Sequence, residues 1–300
     1  MLPYARIASG MRTLYLVATP IGNLEDMSPR AVRILREVPL VAAEDTRETR
    51  KLLAHFDIHT ELLSYFEHNK RQRLDTLLAA LERGDVAVVS DAGTPGLNDP
   101  GFELVRAAIE HGHRIVPIPG PAAPIAALVA SGLPTDGFVY LGFLPRKAVP
   151  RRALLKEWAS QRRTLVALEA PRRLNATLRD IQAVMGPRPL AVARELTKLH
   201  EEIFRGTPAE ALAHFGPTPA RGEITMIVEG LPRRAERWSR AQVSRALRDR
   251  MAQGIPRSRI SAEIAKASGW ERRVIYEMAT QKEKRPATRQ GGKKPTAGGS

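Results

Sequence analysis

The feature that most constrains the fold of this 300-residue chain is a repeated alternation along its first half. Short apolar runs of strand length alternate with stretches of helical spacing, and the runs end in turns rich in glycine and proline. Such runs are Leu14–Thr19, Leu40–Ala43, Val86–Val89 and Arg114–Ile118. Strands that alternate with helices usually pair in parallel and are covered on both faces, so the pattern predicts an α/β fold.

A second alternation of the same kind follows a short segment that we interpret as a linker, residues 132–137. Its predicted strands are Phe138–Phe143, Thr164–Leu168, Leu190–Ala193 and Ile224–Glu229. We therefore predict two α/β domains, over residues 13–131 and 138–232, preceded by a tail of residues 1–12. Met11 lies just before the first strand, so either Met1 or Met11 is compatible with the true start.

The last quarter of the chain has a different pattern. From Ser239 onward, apolar residues recur at the spacing of three short helices, which resembles a small helix-turn-helix bundle. We interpret residues 233–281 as a basic helical region that docks RNA. Residues 282–300 are rich in Lys, Arg, Gly and Pro and almost lack apolar residues, so we expect a disordered basic tail.

Positive charge is concentrated in that same quarter. Residues 231–300 contain 18 basic and 6 acidic side chains, whereas the preceding 230 residues contain 29 and 26. Such asymmetry favours a polyanionic partner, usually nucleic acid. A solubilising face followed by an inert tail is the alternative interpretation.

Composition excludes several classes of site. The chain contains no cysteine, so it can form neither a disulfide framework nor a thiolate metal site. Its seven histidines show no metal-binding spacing, and His200 is interpreted as a surface residue, so no metal is predicted. No apolar run is long enough for a membrane span and no signal peptide is recognisable, which leads us to expect a cytoplasmic protein with no membrane partner.

Three glycine- and proline-rich turns follow predicted strands, at Thr19–Asn23, Ser90–Gly96 and Pro119–Ala123. Ligands of open α/β sheets bind at the carboxyl ends of strands, where glycine lets a ligand approach the backbone closely. The first turn lacks the G-x-G-x-x-G pattern, which disfavours an ordinary dinucleotide fold, and the chain has no Walker A sequence. Each turn alone is equally compatible with a simple connection.

In combination, these turns resemble the tetrapyrrole-methylase-like superfamily, the class III methyltransferases that use S-adenosylmethionine. Within it, the resemblance is to enzymes that methylate the ribose 2′-hydroxyl of a decoding-centre cytidine in 16S rRNA. The resemblance runs from about Thr13 to about Glu277. The matching stretches are Ala18–Leu24, Ala42–Arg47, Val89–Pro95, Asn98–Gly101, Pro119–Pro121, Gly142–Pro145, Arg194–Lys198 and Gly222–Glu223.

This resemblance implies two α/β domains with the cofactor S-adenosylmethionine bound between them. The cofactor contacts that it implies are Pro20, Gly22, Asp91, Ala92, Gly93, Thr94, Leu97, Gly120, Pro121, Ala122, Ala123, Leu168, Glu169 and Leu196. The family commonly has an aromatic residue where this chain has Leu168. Asp91 could bind the cofactor's amino group or ribose, or it could simply cap its own loop.

A general base would help to remove the proton from a ribose hydroxyl, which is a weak acid. The candidates at strand ends are Glu44, Asp45, Asp99, Glu195 and Lys198, and the sequence does not choose among them. Glu44 and Asp45 could instead pair with Arg47 or Arg50. The residues expected to contact RNA are Arg47, Arg146, Lys147, Arg245, Arg248, Arg257, Arg259, Arg272 and Arg273.

We therefore predict 2′-O-methylation of a cytidine ribose in small-subunit rRNA, either free or in the assembled ribosomal subunit, by a homodimer. A tetrapyrrole methyltransferase is the alternative enzyme, but a macrocycle needs no basic helical region. A non-enzymatic RNA-binding protein for ribosome assembly is the alternative from another class, but it needs no cofactor cleft.

Overall fold

The computed structural model describes residues 11–99, 101–217, 222–232 and 238–281. The chain divides into two compact units between Leu231 and Pro232. Both sheets lie in the first unit and three helices lie in the second. The predicted tails, residues 1–12 and 282–300, lie almost wholly outside the described residues.

The first sheet has five parallel strands in the order β3-β2-β4-β1-β5. Its strands are β1 (Thr13–Val17), β2 (Leu40–Ala43), β3 (Glu61–Ser64), β4 (Val86–Val89) and β5 (Arg114–Ile118). The helices between and after them are α1 (Pro29–Glu37), α2 (Thr46–His55), α3 (Lys70–Arg83), α4 (Phe102–Glu110) and α5 (Ala123–Ala130). The predicted α/β class is confirmed, although the sequence did not reveal β3.

Successive residues of these strands enter cores on opposite faces of the sheet, as a period of two requires. Val41 packs in a core with Leu35 of α1 and Leu53 of α2. Ala42, the next residue, packs with Leu77 of α3 and Leu104 of α4. The sheet is therefore covered on both faces.

The second sheet is mixed, with the order β6-β7-β10-β8-β9. Its strands are β6 (Phe138–Phe143), β7 (Thr164–Glu169), β8 (Leu190–Arg194), β9 (Glu202–Gly206) and β10 (Ile224–Val228). Strands β6 and β7 are parallel, and the other pairs are antiparallel. The sequence did not reveal β9.

Helices cover both faces of this sheet as well. On one face lie α6 (Ala148–Trp158), α7 (Leu174–Met185) and α8 (Pro208–Phe215). On the other face, Ala127 and Leu128 of α5 pack with Val166 and Ile227. Helix α5 therefore follows the last strand of the first sheet but helps to form a core with the second sheet.

The second unit contains α9 (Arg240–Met251), α10 (Arg257–Ser268) and α11 (Arg272–Gln281). Ser239 begins α9 with a capping box to Gln242, which satisfies free amide groups of the first turn. The core of the unit consists of Val243, Leu247, Ile260, Ile264, Ile275 and Ala279. No helix of the described residues in either unit is both long and apolar enough to cross a membrane.

Candidate active site

The candidate site begins where the loops after β1 and β4 meet. These strands are neighbours, yet the chain leaves β1 towards β2 and leaves β4 towards β5. Such a switch point opens a crevice at the carboxyl ends of the strands. The amide N–H of Thr19 donates to the carbonyl oxygen of Gly93 at 2.9 Å, and Gly93 returns a bond at 3.0 Å.

The loops after β2 and β5 are hydrogen-bonded to the same loop after β4. The amide of Asp45 donates to Oδ1 of Asp91 at 2.9 Å, and the hydroxyl of Thr94 donates to the carbonyl oxygen of Pro121 at 3.2 Å. One carboxylate oxygen of Asp91 therefore holds the loop after β2. These bonds hold the loops in fixed positions around the crevice.

A cavity of about 440 Å³ opens at this edge, which is within the size range of small-molecule sites. The loops of the first sheet form one wall, and β6, β7 and β10 with their loops form the other. The lining is Ile21, Glu44, Asp91, Ala92, Gly93, Thr94, Leu97, Asn98, Asp99, Ala122, Ala123, Pro124, Tyr140, Phe143, Leu168, Glu169, Ala170, Pro171, Gly222, Glu223, Ile224 and Thr225.

Nine of the residues predicted to bind the cofactor line this cavity: Asp91, Ala92, Gly93, Thr94, Leu97, Ala122, Ala123, Leu168 and Glu169. Pro20 and Gly22 line an adjacent cavity of about 240 Å³, which Asp91 also borders. Gly120, Pro121 and Leu196 are absent from the lining of both cavities. Gly120 lies so close to the first loop that a Cβ atom would be 2.9 Å from Cβ of Ala18.

At two positions of the site, steric constraints explain why the residue is glycine. Gly93 has a φ of 86°, a conformation that side chains other than glycine rarely adopt. A Cβ atom on Gly22 would lie 2.4 Å from Cγ of Lys198 and 2.8 Å from Oγ1 of Thr197. Gly22 therefore permits the loop after β1 to contact the loop after β8.

Glu169 faces the cavity with its backbone rather than with a free carboxylate. Its side chain is fully buried and accepts hydrogen bonds from the amide of Ala170, the hydroxyl of Thr177 and the guanidinium of Arg173. Because both carboxylate oxygens are engaged, this group positions the loop after β7.

Besides Glu169, the acidic residues that line the cavity are Glu44, Asp91, Asp99 and Glu223. Burial, with the nearby charge of Glu44, raises the pKa of Asp99 to about 6. Burial also raises the pKa of Glu44, with the charges of Asp91 and Asp45 adding to the effect. It likewise raises the pKa of Asp91, to which the charges of Asp45 and Glu48 contribute. The cavity is therefore acidic, and Asp99 is a weaker acid than a free aspartate.

The other candidate bases lie outside this lining. Asp45 caps α2 and pairs with Arg47, whose hydrogen bonds hold the pKa of Asp45 far below its usual range. Lys198 Nζ lies 3.0 Å from Oε1 of Glu195, and the same oxygen accepts the amide of Glu223 at 3.0 Å. The Glu195–Lys198 pair thus supports the Gly222–Glu223 segment that lines the cavity.

The predicted RNA contacts are distributed over both units. Arg47, Arg146 and Lys147 are exposed in the first unit. In the second unit, Arg245, Arg248, Arg259, Arg272 and Arg273 are exposed and Arg257 is partly buried. Within the described residues, no group of three or more His, Cys, Asp or Glu side chains could hold a metal ion.

Sequence reasoning did not assign several lining residues to the site, chiefly Asn98, Tyr140, Phe143 and the strand start Gly222–Thr225. The matching stretches Asn98–Gly101, Gly142–Pro145 and Gly222–Glu223 already contained most of them. Two of these stretches, Asn98–Gly101 and Gly222–Glu223, were a usable signal, because they lie outside every predicted strand and helix.

The described geometry matches a known family. A family model described as Tetrapyrrole (Corrin/Porphyrin) Methylases matches residues 13–212. A solved structure of uroporphyrin-III C-methyltransferase from Thermus thermophilus, in complex with S-adenosylhomocysteine, is similar at a TM-score of 0.51 and 21% identity. The similarity covers 73% of this chain and 97% of that chain. Fold and family match together define a methylase of the tetrapyrrole methylase class.

Sequence relatives indicate more specifically which methyltransferase family the chain belongs to. A Synechocystis protein named ribosomal RNA small subunit methyltransferase I is 49% identical over 91% of this chain and 99% of its own length. A Thermotoga maritima protein of the same name is 46% identical over 73% of this chain and 99% of its own length. The chain belongs to the ribosomal RNA small subunit methyltransferase I family.

Proposed function

We propose that this protein transfers a methyl group from S-adenosylmethionine to the ribose 2′-oxygen of a decoding-centre cytidine in small-subunit (16S) rRNA. The observation that carries the proposed substrate is the 49% identity to a ribosomal RNA small subunit methyltransferase I over nearly the full length of both chains. An rRNA substrate also implies a cytoplasmic protein.

The chemistry of the cavity fits the cofactor. S-adenosylmethionine supplies an electrophilic methyl group on a positively charged sulfur when it is bound. Ala92, Ala122, Ala123 and Leu168 offer apolar contact for its flat base, and the carboxylates of Glu44 and Asp91 favour a cation. Gly93 leaves the backbone accessible at the centre of this wall.

We assign proton removal to Asp99. Its carboxylate would accept the proton that the ribose hydroxyl loses as the hydroxyl oxygen bonds to the methyl carbon. The bond between that carbon and the sulfur breaks at the same time, and S-adenosylhomocysteine is the leaving group. A base works best when its pKa lies near the working pH, and the pKa of Asp99 is raised to about 6. Among the five candidate residues, Glu44 and Asp99 line the cavity, and only Asp99 has a pKa raised that far.

The second unit is proposed to dock the RNA. Each of its three helices has arginine and no acidic residue in the first turn, at Arg240, Arg257, Arg259, Arg272 and Arg273. A cation there opposes the helix dipole by about 0.3–1 kcal/mol. A polyanionic partner would offset that cost. The arginines therefore support an RNA-docking role for this unit over that of an inert, solubilising surface.

The Thermotoga relative supports a separate role for this unit. That protein matches along 99% of its own length but along only 73% of this chain. About a quarter of the present chain therefore lies outside the match, and the second unit, Pro232–Ser300, is about that size. We propose that the first unit performs methyl transfer and that the second increases RNA affinity.

Methylation assays with radiolabelled S-adenosylmethionine test the proposal on three acceptors: free 16S rRNA, assembled small subunits and a tetrapyrrole. The product is digested and mapped by mass spectrometry. We expect one methyl group on a cytidine 2′-oxygen. A methylated base would contradict the proposed atom, transfer to the macrocycle would support the tetrapyrrole alternative, and no transfer would favour a non-enzymatic role.

A further inference from the structure

The end of strand β6 turns an aromatic side chain towards the cavity. In a regular strand, residues three positions apart face opposite sides. Tyr140 and Phe143 nevertheless both line the cavity. The register of β6 against β7 shifts between these two residues, and Gly142 has a φ of 63°. This irregularity resets the alternation and places Phe143 on the cavity side.

Gly142 has a second steric constraint. A Cβ atom at this position would lie 2.7 Å from Oδ1 of Asn98, a residue of the loop after β4. Both the backbone conformation and the space therefore favour glycine. Phe143 remains 58% exposed at the end of this strand. Its aromatic ring contributes little to the core, so a packing role does not account for it.

The segment after Phe143 is firmly anchored. Arg173 donates to the carbonyl oxygen of Leu144, and Arg151 donates to the carbonyl oxygens of Pro145 and Arg146. Arg151 also pairs with Asp180, and both of these side chains are almost fully buried. A ring on such a rigid segment loses little conformational entropy when a flat group stacks on it.

Two exposed cations follow the ring. Arg146 and Lys147 are exposed, and neither forms an ion pair with any acidic side chain of the described residues. Their charges suit an anion that approaches the mouth of the cavity. The proposed cofactor carries no phosphate, whereas an RNA strand carries one phosphate per nucleotide. The combination of ring and cations therefore matches a nucleotide better than it matches the cofactor.

We propose that Phe143 is the stacking platform for the base of the acceptor nucleotide, and that Arg146 and Lys147 bind its flanking phosphates. This inference rests on the proposed function and adds a specificity-determining residue to it. Single-stranded RNA is commonly recognised by bases that leave the stack and pack on aromatic side chains. A ribose that enters the cavity carries its base with it, and Phe143 lines that cavity.

The test compares Phe143→Ala, Phe143→Tyr and Val149→Ala in steady-state methylation of assembled small subunits. Val149 is the matched control, because it lies nearby in the chain, at the start of α6, and is 81% exposed. Loss of a base stacked on an aromatic ring should raise KM for the RNA about 5- to 150-fold in Phe143→Ala. We expect near-normal KM in Phe143→Tyr, which keeps the ring, and in Val149→Ala.

Calorimetry with S-adenosylhomocysteine supplies the second measurement. Phe143→Ala should bind this probe within about twofold of the unaltered protein, because the ring is assigned to the acceptor. An equal loss of probe affinity would instead assign Phe143 to the cofactor and overturn the inference. An unchanged KM in Phe143→Ala would also overturn it. If the unaltered protein methylates no RNA, the proposed function fails first, so the two failures are distinguishable.

Discussion

The side-chain amide of Asn98 donates a hydrogen bond to the hydroxyl oxygen of Tyr140 at 2.6 Å. This bond joins the loop after β4 in the first sheet to β6 in the second sheet, beside the cavity that both residues line. Asn98 has a φ of 66°, and asparagine tolerates this left-handed conformation better than most residues. The two walls of the candidate site are thus tied by a direct polar contact.

Tyr140→Phe should remove that bond while keeping the ring. A single hydrogen bond contributes about 0.5–1.5 kcal/mol, so we expect the free energy of unfolding to fall by about that amount. Urea denaturation measures the change. Tyr276→Phe, an exposed tyrosine of the second unit, is the control and should leave the value unchanged. Equal stability in the two variants would show that the Asn98–Tyr140 bond contributes nothing measurable.

Asp99→Asn should reduce kcat about 10²- to 10⁴-fold, the range typical of a lost general base. The base must be deprotonated, so the rate of the unaltered protein should fall as the pH is lowered through about 6. Glu44 and Asp91 also face this group, and their charges help to set that midpoint. Asp75→Asn, on the exposed face of α3, is the control. A pH profile that persists in Asp99→Asn would assign the titration elsewhere.

Asp99→Asn should lower kcat but raise the stability of the folded protein. Because burial raises the folded-state pKa of Asp99 above its usual value, ionisation of this group costs stability as the pH rises through about 6. Asp99→Asn removes that cost. We therefore expect a higher Tm for the variant at pH 7.5 and little difference at pH 4, measured by calorimetric scans. A lower Tm at both pH values would contradict the inferred burial cost.

Gly93→Val should abolish binding of S-adenosylhomocysteine. The valine side chain would fill space in the cavity, and a φ of 86° is strained for a β-branched residue. Gly112→Val is the matched control, because Gly112 has a φ of 78° and no atom lies within 4 Å of the place that its Cβ atom would occupy. Calorimetry on both folded variants separates the effects. Equal affinity of the Gly93→Val and Gly112→Val variants would show that the loops of the first sheet do not bind the cofactor.

Arg245→Gln combined with Arg248→Gln should weaken RNA binding and flatten its dependence on salt. Each lost phosphate contact lowers the steepness of log affinity against log salt by about 0.7–0.9, so losing two should lower it by up to about 1.4–1.8. Arg71→Gln with Arg73→Gln removes the same charge from exposed positions of α3. Filter binding across a salt series compares the pairs. Identical slopes would argue against RNA docking by α9.

The superfamily resemblance predicts a homodimer. Light scattering at micromolar concentration should therefore give a mass of twice 33.1 kDa. Val129 of α5 is 69% exposed and Ile125, one helical turn earlier, is 45% exposed, so this helix retains an apolar surface for such contacts. A mass of one chain under these conditions would contradict the dimer.

Local patterns were sufficient for much of the architecture. Ser28 and Pro29 marked the start of α1, because side-chain capping acts within a few residues. Gly84 marked the end of α3, although its backbone there is extended. The two strands that escaped prediction, β3 and β9, are an edge strand in each sheet. None of their residues is fully buried, so the apolar signal was weak.

The sequence by itself determined the α/β class and the three turns at strand ends, because glycine, proline and strand-length apolar runs express local backbone preferences. Only the tertiary structure decided that Asp99 lies in the cavity. The pair of Asp45 with Arg47, by contrast, joins near neighbours in the chain, and the sequence had already offered it. The tertiary structure also decided that the bulge at Gly142 turns Phe143 to the same side as Tyr140. Strand order, burial and pKa depend on residues far apart in the chain, and no local pattern records them.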